Sequence, residues 1–255
     1  MNMDNTLTKE IKANNQKIND LLSIKQYEQR SAEWFEQRKD KLTSSDAASV
    51  LGINPYDKYN NVLFKKCGIK SEFVGNIATR HGQKYEDVAI DKYCACLGKK
   101  NYNFGLINYT DVHSDNKYYW LAGSPDGIVE DIHDTDREPI LLEVKCPFRR
   151  KIINNYIPEY YLPQVQLNLF ITNLKVADYI EFSPPNKLNV KRIYRDDNWL
   201  QKNLPLLENF WKDVEHYRKI GIENHPEFCI TVKKDVEISE DNNIKFNKYS
   251  IVDSV

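Results

Sequence analysis

The segment 123-GSPDGIVEDIHDTDREPILLEVKCPF-148 decides how the rest of the chain is read. Ser124-Pro125-Asp126-Gly127 is a turn-like tetrapeptide that opens an apolar strand. An acidic loop, 131-DIHDTDRE-138, returns the chain to a second apolar run holding Glu143 and Lys145. Side chains alternate faces along a strand. Glu143 and Lys145 therefore share one face, and Leu142, Val144 and Cys146 share the other. Burying a carboxylate and an ammonium is costly unless something compensates them. Asp126 lies seventeen positions before Glu143, across a hairpin, so paired strands can set the two acids side by side. Such a pair repels, and one pKa rises unless a cation sits between them. A divalent ion with oxygen ligands answers this, and Mg²⁺ suits it best: hard, water-rich, and content with few carboxylates. Lys145 is then placed to orient or deprotonate a water. The plainer alternative is a turn Asp beside a cross-strand Glu–Lys salt bridge.

Outward from this segment, the chain has 255 residues, 41% hydrophobic and 29% charged, with net charge −1. That is a globular profile, with room for a large core. It argues against indiscriminate coating of nucleic acid but leaves room for a local basic groove. No apolar run approaches the ~18 residues of a membrane span. The start, MNMDNTLTKEIKANNQ, has no secretory apolar core, and five cysteines make free thiols in a reducing compartment the expectation. The predicted location is the cytoplasm or cell interior.

Periodicity predicts an arm or peripheral helix over residues 1–26. Two short helices follow over 31–52, broken at DKLTSS, then a helix over 60–69 ending at Gly68, and a long helix over 78–98. Strands are predicted near 104–111, 117–122, 126–130 and 139–146, a helix over 162–173, and strands near 176–183 and 188–194. A final helix near 197–220 carries Leu200, Leu204, Leu207, Trp211 and Val214 on one stripe, with Pro205 as a candidate kink. Residues 222–255 read as a tail. The order is an α/β pattern in one domain over 27–221.

Three further groups carry chemistry. On the 78–98 helix, Glu86 shares the stripe of Ile90, Tyr93 and Leu97, so its charge needs a buried partner; Gly82 lies one turn earlier. Gln164 stands on the apolar stripe of the following helix with Leu167 and Ile171. In 34-WFEQRKDKLTSSDAASVLG-52, Thr43 or Ser44 can cap a helix, and the free N–H groups with Ser45 and Arg38 make an anion site suited to a phosphate. The basic run Arg149-Arg150-Lys151 follows the Glu143 strand and is the best candidate to line a basic groove.

Five segments, SAEWFEQRKDKLTSSDAASVLGINPY, RHGQKYEDVA, WLAGSPDGIV, LLEVKCPF and YYLPQVQLNLF, occur in the order found in the YqaJ/lambda-exonuclease family of viral recombination nucleases. The chain resembles that family from about residue 27 to 221. The family belongs to the PD-(D/E)XK superfamily. The resemblance implies a mixed central sheet flanked by helices, two Mg²⁺ ions (Mn²⁺ as substitute), and hydrolysis of DNA from duplex ends, 5′ to 3′. It implies Asp126 and Glu143 as metal ligands, with the Val144 backbone carbonyl. Lys145 would act on the nucleophilic water, Glu86 would complete or orient the metal shell, and Gln164 would position the nucleophile or phosphate. Arg38 and Ser45, with Ser44 beside them, match the family's pocket for a terminal 5′-phosphate. By analogy the partners are duplex DNA ends, a single-strand annealing protein or helicase, and further copies of the chain, with no membrane. The family's other Asp, on the strand before the Pro-Asp turn, has two candidates here, Asp111 and Asp115.

Two other readings share this core. One is an endonuclease, or a nuclease of single strands or flaps, similar to CRISPR-associated nucleases, which often hold an iron–sulfur cluster through four Cys. Here Cys94 and Cys96 lie about 200° apart around a helix, and no iron–sulfur cluster is expected. An inactive DNA-binding module would have lost one of Asp126, Glu143 or Lys145, and all three are present.

Overall fold

The computed structural model describes residues 13, 15–69, 76–134 and 136–228. Its centre is a five-stranded sheet in the order β2(Lys99–Tyr102), β5(Gly127–Asp131), β6(Ile140–Lys145), β7(Val176–Ser183), β8(Lys187–Tyr194). Only the β6–β7 pair is parallel; the others are antiparallel. A smaller sheet joins β1(Leu42–Thr43), β4(Leu121–Gly123) and β3(Ile107–Asn108).

The central strand β6 is buried along nearly its whole length, as expected of a strand covered on both faces. Ile140, Leu142 and Val144 pack toward α5(Ile77–Leu97), against Ala89, Ile90 and Tyr93. The opposite face packs on α7(Leu162–Ile171), with Val165, Leu167, Leu169 and Ile171 in the main core. The last helix, α8(Asp197–Ile220), buries the expected stripe Leu200, Leu204, Leu207, Trp211 and Val214, and continues through Pro205.

Local chemistry sets the ends. Asn76 caps α5, accepting from Thr79 N–H at 2.9 Å, and Gly98 ends it in the left-handed region at φ 61°. That cap feeds the chain directly into β2. Of the strand predicted at 104–111 only the two-residue β3 forms, followed by α6(Tyr109–Val112), and β2 lies just before the predicted range. Phe104 and Leu106, between β2 and β3, are buried without being strand.

The N-terminal helix α1(Gln16–Ser23) is not peripheral. Ile18 is 0% exposed and belongs to the main core with Leu21. Asn15 N–H donates to Glu130 on β5 at 2.9 Å, and Gln26 accepts from Gly105 N–H at 2.7 Å. Of the expected arm over 1–26, residues 1–12 and 14 fall outside the described residues, as do 229–255 of the expected tail over 222–255; within that tail, Ile222 is buried in the main core and Phe228 packs against it. No described helix is long and apolar enough to cross a membrane. Ile18→Ala is expected to cost about 2–5 kcal/mol, the usual range for emptying a fully buried aliphatic site; urea unfolding measures it.

Candidate active site

β5 stops pairing with β6 at the Gly127–Leu142 register. Beyond it, Glu143–Lys145 are laddered on one side alone, to β7. The Asp126 carboxylate fills the gap on the other side: its Oδ2 accepts the Val144 N–H at 2.6 Å, and Asp126 N–H donates to the Leu142 carbonyl at 3.2 Å. A strand residue's N–H and C=O point to the same neighbour, so the Val144 carbonyl faces Asp126 as well.

Glu143 is 0% exposed. Its carboxylate pairs with the Lys145 ammonium through Oε1, and its Oε2 lies 3.5 Å from Asn168 Nδ2 on α7. Lys145 lies over the Tyr161 ring, 5.1 Å from its centre. On β7, Tyr179 and Glu181 stand in register with Glu143 and Lys145. Two glycines bracket the turn. A Cβ on Gly123 would sit 2.2 Å from Asn168 Oδ1, and one on Gly127 would sit 2.2 Å from Asn101 Oδ1. Both positions are close-approach points.

Glu86 reaches this cluster from α5. It shares a cleft of about 370 Å³ with Gly82, Arg30, Lys145, Phe148 and Tyr161. Its charge partner is Arg30, whose Nη2 lies 3.2 Å from Glu86 Oε2. A Cβ on Gly82 would meet open space, so that glycine widens the cleft. Burial and then the Asp126 charge push the Glu86 carboxyl up to about 7. Burial also raises Asp126 and Glu143. Lys145 is raised too, because the charges of Glu143 and Asp126 outweigh the opposing effect of its burial.

Among the described residues, no three His, Cys, Asp or Glu side chains close into a ready cage for a cation. The donor set still fits a hard divalent ion. Glu143 is buried and Asp126 half-buried, the Asp126 charge raises both Glu143 and Glu86, the donors are all oxygen, and Mg²⁺ binds through one or two carboxylates while keeping its waters.

The second predicted site is built differently from its expectation. Ser44–Asp46 form a 3₁₀ turn before the four-residue helix α3(Ala47–Val50), and neither Thr43 nor Ser44 makes a capping bond. The helix that begins there is only four residues long. Instead Arg38, on α2(Ala32–Lys39), bonds the Thr43 and Ser45 hydroxyls at 3.1 and 2.9 Å and lies 4.2 Å from the Trp34 ring centre. Ser44 is buried. Beneath, Asp46 pairs with buried Lys66 at 3.0 Å. Asp46 is held far below the usual carboxylate range: burial would raise it, but Lys66, Lys65, Arg38 and the Thr43 hydroxyl win. Three cations against one carboxylate leave the pocket positive. The Trp34 indole N–H donates to Ser124 Oγ at 3.0 Å, joining this pocket to the Pro125-Asp126 turn.

Other expected residues are placed as follows. Gln164 is half-buried on α7, one turn before Asn168, which is the residue that reaches Glu143. Arg149 is exposed beside Phe148. Arg150 is drawn into an ion pair with fully buried Glu181. Asp111 closes the cap of α6 through Asn108, and Asp115 accepts from Tyr109 and Lys117; both are engaged in local turns. Sequence reading missed Arg30, Asn168 and the Tyr179–Glu181 pair. Only the last had a visible signal, a second strand with two polar side chains two apart in an apolar run.

A mixed sheet with a Pro-Asp turn set against a Glu-x-Lys strand, covered by helices on both faces, is the PD-(D/E)XK nuclease core. The chain belongs to the YqaJ-like viral recombinase domain family, whose pattern matches residues 33–175. It is 33% identical over 177 residues to an uncharacterized protein of Acanthamoeba polyphaga mimivirus, covering 66% of this chain and 31% of that protein. It is 29% identical over 180 residues to a protein of African swine fever virus, covering 60% of this chain and 49% of that protein. The chain thus spans half or less of these relatives' length. Its fold matches the alkaline exonuclease LHK-Exo from Laribacter hongkongensis with TM-score 0.59 and 22% identity, over 74% of this chain and 95% of that one. The same exonuclease in complex with dAMP matches with TM-score 0.60 and 20% identity, over 82% of this chain and 100% of that one.

The raised Glu86 carboxyl has a stability consequence. The folded state keeps a proton that the unfolded chain releases near pH 4.5, so stability falls as pH rises from about 4.5 to 7. Glu86→Gln escapes that loss. In chelator, its melting temperature is expected to match wild type below pH 4.5 and to exceed it by on the order of a few degrees above pH 7, read by thermal scans across that range.

Proposed function

We propose that the chain is a divalent-metal-dependent deoxyribonuclease that hydrolyses duplex DNA from its 5′ ends. The single observation that carries this reading is the Asp126–Val144–Glu143–Lys145 geometry at the point where β5 leaves β6. Asp126, Glu143 and the Val144 carbonyl would hold the ion, with Glu86 at the rim. When bound, a hard divalent ion polarises the phosphodiester and eases deprotonation of water at neutral pH. Lys145, held charged by its acidic neighbours, orients the water and steadies charge on the attacked phosphate. Asn168 fixes the Glu143 carboxylate from α7. Gln164, on the same helix face, is placed to meet the nucleophile or phosphate.

The choice of a 5′ end rests on the positive Arg38–Ser45 pocket. A guanidinium and a hydroxyl there suit a terminal phosphate, and Trp34 ties the pocket to the catalytic turn. The LHK-Exo complex with dAMP supports a nucleotide in a site of this fold. Arg149 is the exposed cation of its run and suits the DNA backbone. Mg²⁺ is the ion that the oxygen donors favour, with Mn²⁺ in its place and two ions by family resemblance. The viral recombinase family supports a role in recombination or repair, the viral relatives suggest an infected cell as its place, and by family analogy the partners are an annealing protein or helicase and further copies of the chain.

Asp126→Ala or Glu143→Ala is expected to lower Mg²⁺-dependent release of a 5′ label from linear duplex by at least about a hundredfold. Near-normal turnover in either variant would refute the site. Arg38→Ala is expected to slow digestion of 5′-phosphorylated ends by about tenfold or more relative to 5′-hydroxyl ends. Equal slowing of both substrates removes Arg38 from end recognition.

A further inference from the structure

One charged side chain in the cleft has no part in the chemistry above. Arg30 lines it beside Glu86 and Lys145. Its backbone sits in the left-handed region, φ 72°. Non-glycine residues adopt that conformation at a cost, and such residues concentrate at functional sites. The strain is held by anchors on both sides. Gln29 donates through Nε2 to the carbonyls of Phe104 at 2.9 Å and Pro125 at 3.1 Å, the latter next to Asp126. Ser31 N–H closes the turn onto the Glu28 carbonyl at 3.1 Å, and the Ser31 hydroxyl caps α2 through Trp34 N–H. The turn is therefore referenced to the catalytic Pro-Asp segment on one side and to the Arg38 helix on the other.

The guanidinium itself is about half exposed, and its bond to Glu86 uses one of its five donors. Its rigid fork matches a phosphate as well as a carboxylate. We propose that Arg30 is a substrate-contacting residue: it binds a backbone phosphate of the DNA strand in the cleft, and Glu86 holds it in place while the cleft is empty. This rests on the nuclease reading. The bond to Glu86 leaves four donors of the fork to other partners, so the guanidinium can take a phosphate with or without an ion at Glu86.

Arg30→Gly tests this, because glycine adopts φ 72° without strain. The variant is expected to melt no lower than wild type. In chelator, where no hydrolysis occurs, fluorescence anisotropy with a labelled duplex is expected to show about tenfold weaker binding, the size of one charge-assisted hydrogen bond. The slope of log affinity against log salt is expected to fall by about one, the signature of one lost phosphate contact. Arg30→Lys, which keeps the charge, is expected to restore the slope and part of the affinity. Unchanged affinity in Arg30→Gly, or a loss with the salt slope intact, overturns the proposal while leaving the nuclease reading standing. A wild-type chain that neither binds the duplex in chelator nor cuts it with Mg²⁺ overturns both.

Discussion

A carboxylate with no exposed surface must have its charge answered from within the fold. Glu143 sits on the central strand of the sheet, and the surrounding architecture follows from that requirement. Lys145 answers part of the charge from the same strand and Asn168 reaches in from α7. The register is kept open at that point because Asp126, in a side chain's role, replaces a backbone partner of Val144. Had β5 continued two residues further beside β6, the ladder would be more complete and the carboxylates would be sealed beneath it.

The same requirement explains why the cluster holds several cations and several acids in alternation. Glu86, Asp126 and Glu143 are opposed by Lys145 and Arg30, and the acids remain reluctant to ionise. An arrangement of this kind is short of positive charge. A second balance stands at Arg38, where Lys65, Lys66 and the guanidinium outweigh Asp46 and the surplus has the other sign. One part of the cleft region attracts cations and its neighbour attracts anions, which suits a phosphodiester held by both.

Much of this was legible in the chain itself. Period-two alternation placed Glu143 and Lys145 on one face, turn chemistry marked Pro125-Asp126-Gly127, and the apolar stripes of α7 and α8 fell where expected; on α5 Ile90 and Tyr93 are buried as expected but Leu97 is exposed. What escaped depended on distant segments. β2 reads as Lys-Lys-Asn-Tyr, polar because it is an edge strand paired only with β5, so it carries no alternation to detect. The weak pattern of α1 hid a core helix because Ile18 and Leu21 suffice to dock it. Arg30 and Asn168 meet Glu86 and Glu143 across 56 and 25 residues of chain, a proximity that no local period encodes. The turn at Ser44 failed as a helix cap because Thr43 spends its hydroxyl on Asp46.

The indole of Trp34 touches both pockets, stacking on Arg38 and bonding Ser124. On the proposed reading, the grip on a strand terminus and the point of scission are spaced by a single planar ring wedged in the fold. The length removed per cut is then a dimension of the folded protein, like the gap of a caliper, and is insensitive to the sequence of the DNA passing through.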